Sequence, residues 1–335
     1  MRVKRVKRNW IKIAFFLIVF VVFLAAPYIS FALLGSNYLT ELLTQSLIYG
    51  IAAFSLNLLL GYLGLPSLGH GVYLGISAYT TAICLAKFHL SPPVASIIAL
   101  LIVIGSAALF GPVTLRARGV YFLMITLALA MVVWGLAYRW VSLTSGDNGI
   151  SGISRPQLGP WSLRDISNYY YFVLGIFLIC LFIIHRIVRS PFGRSLVGIK
   201  ESESRMRTLG YNVWLHQYLC FLIAGFFAGV AGVLFIFYHG FISPPSLELT
   251  PNIEILLMVA LGGPGTVIGP FIGAIVIVFL KNFVSAYTER WLIILGAVYI
   301  VTVLYAPGGL MDVVRLVREL VRGEKKVGKK APNGY

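Results

Sequence analysis

The chain has 335 residues, of which 59% are hydrophobic and only 11% charged, with a formal net charge of +16 and a mean hydropathy of +0.90. A soluble domain carries about 25% charged residues, so this composition excludes an ordinary cytosolic or secreted globular protein and places the chain in a membrane. The positive charge does not signal nucleic-acid binding, because it lies in clusters beside apolar runs and has no fold to present it to a groove.

The first element is basic and then apolar. Arg2, Lys4, Arg5, Lys7, Arg8 and Lys12 precede and enter an apolar run from Ile11 to Leu34. That run is too long for a signal-peptide core and matches the roughly 20 residues that cross a bilayer, so an uncleaved first helix is expected. Further spans are expected at 39–60, 68–87, 92–115, 119–141, 169–188, 212–238 and 290–306. Residues 252–281 are too long for one span and are interrupted by Gly262, Gly263, Pro264 and Gly265. Cytoplasmic loops carry an excess of Lys and Arg. If the region turns back at that break, as segments 252–262 and 266–281, the basic N-terminus, the Arg116 and Arg118 loop, the central loop and the basic C-terminus all share the cytoplasmic face. The expected fold class is therefore all-α and polytopic, with about ten membrane segments in one transmembrane domain, 1–335. Residues 1–10 and 311–335 are its basic cytoplasmic tails and 189–211 a cytoplasmic loop. Clusters of this kind also meet anionic membrane lipid.

Two regions break the apolar pattern: Gly61 to Gly71, reading GYLGLPSLGHG, and the GGPG run from Gly262 to Gly265. Non-helical backbone at membrane depth is tolerated only where protein or a water-filled cavity surrounds it. Paired Gly/Pro-interrupted segments in the two halves of a chain point to a transport path, while glycines at four-residue spacing, such as Gly225 and Gly229, suit close helix packing. Candidate path residues are Asn57, Ser67, Gly69 and His70 at the first break and Glu254, Gly262 and Gly263 at the second. His70 either lines the path, hydrogen-bonding a substrate or a neighbouring helix, or makes a structural hydrogen bond to an exposed backbone carbonyl. Thr250 and Pro251 are read as a helix start, which puts Glu254 in the first turns, where the helix dipole favours a carboxylate.

Between Arg186 and Arg207 lies a charged island, with Arg189, Arg194, Lys200, Glu201, Glu203 and Arg205 inside it. Ser190 followed by Pro191 suits a helix start and Gly210 a helix end. Leu196 with Ile199, and Met206 with Leu209, form apolar pairs at helical spacing, a stripe that fits a groove on a soluble partner. A solvated topology signal is the plainer alternative.

No catalytic set appears. His70, His89, His185, His216 and His239 lie apart without partners at metal-ligand spacing. Cys84, Cys180 and Cys220 fall in apolar segments and imply no disulfides. GEKKVGKK, Gly323 to Lys330, fits G-x-x-x-x-G-K, but Lys330 replaces the Ser or Thr of a phosphate loop and neither a strand before it nor a helix after it is indicated.

Five stretches in order, SLNLLLGYLGLPSLGHGVYLGISAYT, RARGVYFLMITLALA, SLTSGDNGISGI, SPFGRSLVGIKESESRMRTLGYNV and GFISPPSLELTPNIEILLMVALGGPGTVIGPFIGA, resemble the branched-chain amino-acid permeases of ABC importers, in their LivM-like branch. The resemblance covers most of residues 40–310. It implies a non-enzymatic permease subunit, without a cofactor of its own, that moves branched-chain amino acids by alternating access. Its implied partners are a second related permease, cytoplasmic ATPase subunits that hydrolyse ATP, and an extracytoplasmic solute-binding protein. It also implies that Arg194, Leu196, Ile199, Lys200, Glu201, Arg205, Met206, Leu209 and Gly210 form an ATPase-coupling segment, with Met206 where the family usually has alanine. Asp147 and Asn148, in the loop from Ser142 to Arg164, are candidate contacts for the binding protein. Urea or a short amide is the alternative cargo, and an ion-coupled secondary transporter the alternative class; the scarcity of acids within spans argues against the latter.

Overall fold

The structure, a computed structural model, describes residues 23–28, 30, 32, 35–158, 161–288, 290–305 and 308–312. Most of the expected first span and nearly all of both basic tails, including the Gly323–Lys330 run, lie outside the described residues.

The fold is a helical bundle whose elements follow the apolar runs closely. Helix α1 covers Tyr38–Asn57 and continues as a π-helical stretch, Leu58–Leu63. α2 is Gly71–Ala86, α3 Pro92–Thr114, α4 Val120–Arg139, and α5 a single turn, Val141–Thr144. α6, Ile166–Arg189, runs into α7, Pro191–Glu201, and α8, Glu203–Thr208. α9 is Val213–His239, α10 Leu249–Gly262, α11 Gly269–Ser285 and α12 Trp291–Tyr305.

Five of these helices are long and apolar enough to cross a membrane: α1 with its π-helical extension, α3, α4, α6 and α9. At 1.5 Å per residue the 24 residues of α6 extend about 36 Å, more than the ~30 Å hydrocarbon core. Burial divides them. The hydrophobic window of α1 is 94% buried within the chain, whereas those of α3, α4 and α6 are 28% or less buried. α1 is therefore the hub, and the outer helices present Ile97, Leu101, Leu109, Met124, Val132, Ile179 and Phe182 outward, as lipid contact requires.

α10 and α11, of 14 and 17 residues, are too short for a full crossing each, at about 21 and 26 Å. They pack on one another and against α1. Phe54 of α1, Phe177 of α6 and Phe271 of α11 form one aromatic cluster, with Phe177 and Phe271 centroids 4.5 Å apart. α9 packs on α1, α2 and α3. Its close approach depends on Gly232, where a Cβ would collide with the Leu74 carbonyl of α2.

Short strands tie down the loops at one end. β1, Ile150–Ser151, pairs antiparallel with β4, Phe241–Ile242, and β2, Gln157–Leu158, pairs with β3, Trp161–Ser162. α9 spans 27 residues, about 40 Å, between this end and α8. The segment 142–164 and the segment 190–210 thus sit at opposite ends of the bundle.

Candidate functional site

At the α8 end, the central segment is ordered by its own capping residues. Ser190 caps α7, its hydroxyl accepting from the Gly193 N–H, and Pro191 occupies the first helical position. Ser202 caps α8 in the same way, accepting from Arg205 N–H. α8 ends as sequence reasoning expects: Gly210 has φ +85°, its N–H donates to Arg207 O, and Tyr211 N–H donates to Met206 O. This is the Schellman arrangement, in which glycine takes the left-handed position without a side-chain penalty.

The expected docking stripe is corrected by this geometry. Leu196, Ile199 and Met206 are 1%, 2% and 8% exposed, packed into the chain's own core, while Leu209 is 66% exposed. The helices are amphipathic, and their apolar sides serve the core beneath them. What remains outward is Arg194, Lys200, Glu201, Arg205, Leu209 and Gly210. Glu203 links this surface to the loop before α4: its carboxylate lies 2.7 Å from Arg118, with Arg207 at 3.6 Å and Gln217 Nε2 donating at 2.9 Å.

Lys200, expected to face a partner, is exposed and also reaches the first break. Its Nζ donates to Gly61 O at 2.8 Å. The cause is local: the chain leaves the π-helical stretch at Gly64, φ +81°, so terminal carbonyls lack helical N–H partners and an ammonium satisfies one of them.

The same π-helical stretch touches the second break. Asn57 Nδ2 donates to Thr266 O at 2.8 Å, and Asn57 Oδ1 accepts from Gly265 N–H at 2.9 Å. A Cβ on Gly61 would overlap both Asn57 and the Gly265 backbone. Two interruptions about 200 residues apart in sequence are therefore one contact in space, joined by Asn57 and reached by Lys200.

Other candidate path residues are held by internal partners. Ser67 Oγ accepts from Gly69 N–H, and Gly69 lies so close to the Thr126 carbonyl of α4 that a Cβ would not fit. His70 is 2% exposed, with Nε2 2.8 Å from Ser55 Oγ of α1, a side-chain hydroxyl rather than an exposed backbone carbonyl. Gly262 packs against Gly269 at the start of α11, and Gly263, φ +111°, makes the turn.

The helix start expected at Thr250 and Pro251 is shifted. α10 begins at Leu249 with Glu248 as its cap residue, so Glu254 lies in the second turn, beyond the strongest dipole effect. Its carboxylate is instead neutralised by Lys281 of α11, Nζ to Oε1 2.7 Å, and that ammonium also stands 4.7 Å from the Trp291 ring centroid. Lys281 was not singled out by sequence, although a lone lysine inside an apolar helix is a signal for a buried counter-charge. Asn252 was missed as well: its Oδ1 accepts from Gly71 N–H at 2.7 Å and its Nδ2 donates to Glu248 O, tying α10 to the start of α2.

At the opposite end, Asp147 and Asn148 occupy an exposed 3-10 turn, Gly146–Asn148, just before β1. No group of three or more His, Cys, Asp or Glu residues forms a metal site among the described residues. Cys84, Cys180 and Cys220 are free and buried.

Residues 38–303 match the family described as branched-chain amino acid transport system / permease component. The chain is 29% identical to the high-affinity branched-chain amino acid transport system permease protein LivM of Escherichia coli K12, over 92% of this chain and 78% of that protein. It is 25% identical to a probable branched-chain amino acid transport permease protein LivM of Methanocaldococcus jannaschii, over 79% of this chain and 90% of that one. The permease protein LivH of Escherichia coli K12 is 25% identical over 78% of this chain and 91% of its own length. No solved structure matches the chain. The chain is an integral membrane protein and belongs to the branched-chain amino acid transport system permease family.

Proposed function

We propose that the chain is a pore-forming permease subunit of an ABC importer that carries branched-chain amino acids into the cell. It pairs with a second, related permease, and similarity to both LivM and LivH relatives supports such a pair. Separate cytoplasmic ATPase subunits supply the energy, and an extracytoplasmic binding protein delivers the solute at the end that carries Asp147 and Asn148. The chain itself hydrolyses no ATP and holds no cofactor.

In this reading about ten membrane segments form one domain, with both termini and residues 189–211 in the cytoplasm. The Arg118–Glu203 ion pair supports a shared face for two of the basic loops. The single observation that carries the mechanism is the chain of contacts from Lys200 to Gly61 and from Asn57 to Gly265 and Thr266. An ATPase moving α7 and α8 pulls, through Lys200, on the junction of both broken segments, and the bundle rearranges there. Selectivity rests largely with the binding protein.

The test is reconstitution of the full complex in proteoliposomes with ATP at the ATPase side. Leucine, isoleucine or valine accumulation that requires ATP and survives a protonophore is the expected result. Accumulation of urea or an amide alone, or uptake abolished by the protonophore, overturns the reading.

A further inference from the structure

At the end of the bundle that carries β1–β4, two cavities adjoin. One, of about 310 Å³, is bounded by Leu100 of α3, Phe172 and Ile176 of α6, and Val230, Leu234 and Phe237 of α9. The other, of about 380 Å³, is bounded by Ser154, Arg155, Gln157 and Arg164. Pro92 and Pro156 line both, so the polar cavity adjoins the apolar one.

We propose that this pair of cavities is a binding site for one anionic glycerophospholipid, with an acyl chain in the slot between α3, α6 and α9 and the phosphate on Arg155 and Arg164.

Three observations carry the assignment. The first is depth. The slot's lining runs from Pro92 to Leu100 on α3, from Phe172 to Ile176 on α6 and from Phe237 to Val230 on α9, so its floor lies eight to ten residues inside the helix ends at Pro92, Ile166 and His239. At 1.5 Å per residue that is about 12–15 Å, half of a ~30 Å hydrocarbon core and hence one leaflet.

The second is chemistry. The polar side chain in the slot, Ser96, donates its hydroxyl to Pro92 O at 2.8 Å, leaving an apolar wall suited to a hydrocarbon chain. Among the described residues, no acidic side chain lines either cavity. An amino-acid zwitterion would therefore find no partner for its ammonium, whereas a phosphodiester needs none.

The third is the state of the two guanidiniums. Among the described residues neither is in an ion pair. Arg155 is held in place by Arg164 O, Phe237 O, Tyr238 O and the face of Tyr169, all neutral or carbonyl contacts that leave its charge uncompensated. Arg164 is exposed at the rim. Guanidinium forks match phosphate oxygens in geometry as well as charge.

The full-length permease, purified in detergent, is measured by native mass spectrometry with added phosphatidylglycerol, with phosphatidylcholine of identical chains, and with leucine. Phosphatidylglycerol is expected to stay bound under activation that strips phosphatidylcholine. Arg164→Gln lowers phosphatidylglycerol retention about fivefold, the worth of one basic residue near an anionic headgroup, without moving the melting temperature. Val230→Trp or Ile176→Trp, two independent ways to fill the slot, removes the retained lipid. Equal retention of both lipids by the native chain, or retention unchanged in Arg164→Gln and in a folded slot variant, overturns the proposal. Displacement of the lipid by leucine also overturns it and assigns the cavities to a solute.

Discussion

Replacing Asn57 by Leu removes the side chain that joins the π-helical stretch to the 263–266 turn. Asn57 is 2% exposed and makes two hydrogen bonds to the 263–266 turn, at 2.8 and 2.9 Å. Leucine has nearly the same volume, so no cavity opens; the loss is that of pairing for Gly265 N–H and Thr266 C=O. Each orphaned backbone group costs about 1–1.5 kcal/mol at partial burial, or about 2–3 kcal/mol together. For a chain of this size that corresponds to a melting shift of roughly 3–4 °C. Buried Cys84, Cys180 and Cys220 provide the assay, since a thiol-reactive fluorogenic dye reports their exposure as the bundle opens. Thr302→Val is the control: among the described residues its hydroxyl bonds to Val298 O within the same helix, so its melting curve should overlay the native one. An Asn57→Leu protein that melts with the native chain and supports native uptake would refute the view that this residue joins the breaks.

Lys200→Met keeps the stem that covers Gly64 and removes the bond to Gly61 O; assembly with the ATPase should persist while uptake per ATP hydrolysed falls severalfold, measured in proteoliposomes. Glu254→Gln removes the 3% exposed carboxylate from beside the Lys281 ammonium, which is itself 33% exposed and partly solvent-screened, and should cost about 1–2 kcal/mol in the same melting assay, with Lys281→Met in the same chain recovering most of it. Asp147→Lys, in an exposed turn, should leave membrane insertion unchanged and reduce delivery from the binding protein, read as a raised half-saturating concentration of loaded binding protein. Cysteine at Ser202 should resist an impermeant label added outside intact cells, and efficient labelling there contradicts the cytoplasmic placement.

Helix positions were legible because apolar runs of spanning length are bounded by Gly, Pro or charge. The 290–306 expectation and the observed Trp291–Tyr305 differ by one residue at either end. Gly210 was legible for the same kind of reason, a local requirement with one cheap residue. The π-helical stretch Leu58–Leu63 was not, since nothing in LLLGYL departs from an ordinary helix pattern. Its cause is tertiary, namely the contacts of Gly61 with Gly265 and of its carbonyl with Lys200. Periodicity located the stripe of Leu196, Ile199 and Met206 and could not say whether it meets a partner or the chain's own core. Glu254 was recognised as an isolated acid, but its pairing with Lys281 depends on how α10 folds back on α11.

The central claim, that residues 190–210 couple this permease to an ATPase, is tested most directly at Leu209. The side chain is 66% exposed, so Leu209→Asp should change fold stability by less than about 0.5 kcal/mol. Buried in an apolar contact with a partner, the carboxylate would cost several kcal/mol, enough to abolish docking. Co-purification of the ATPase with Leu209→Asp, measured alongside ATP-dependent leucine uptake, gives the decision. The account predicts a membrane-inserted, natively melting permease that has lost both; a variant that keeps both contradicts it, and leaves the segment as a solvated signal of topology.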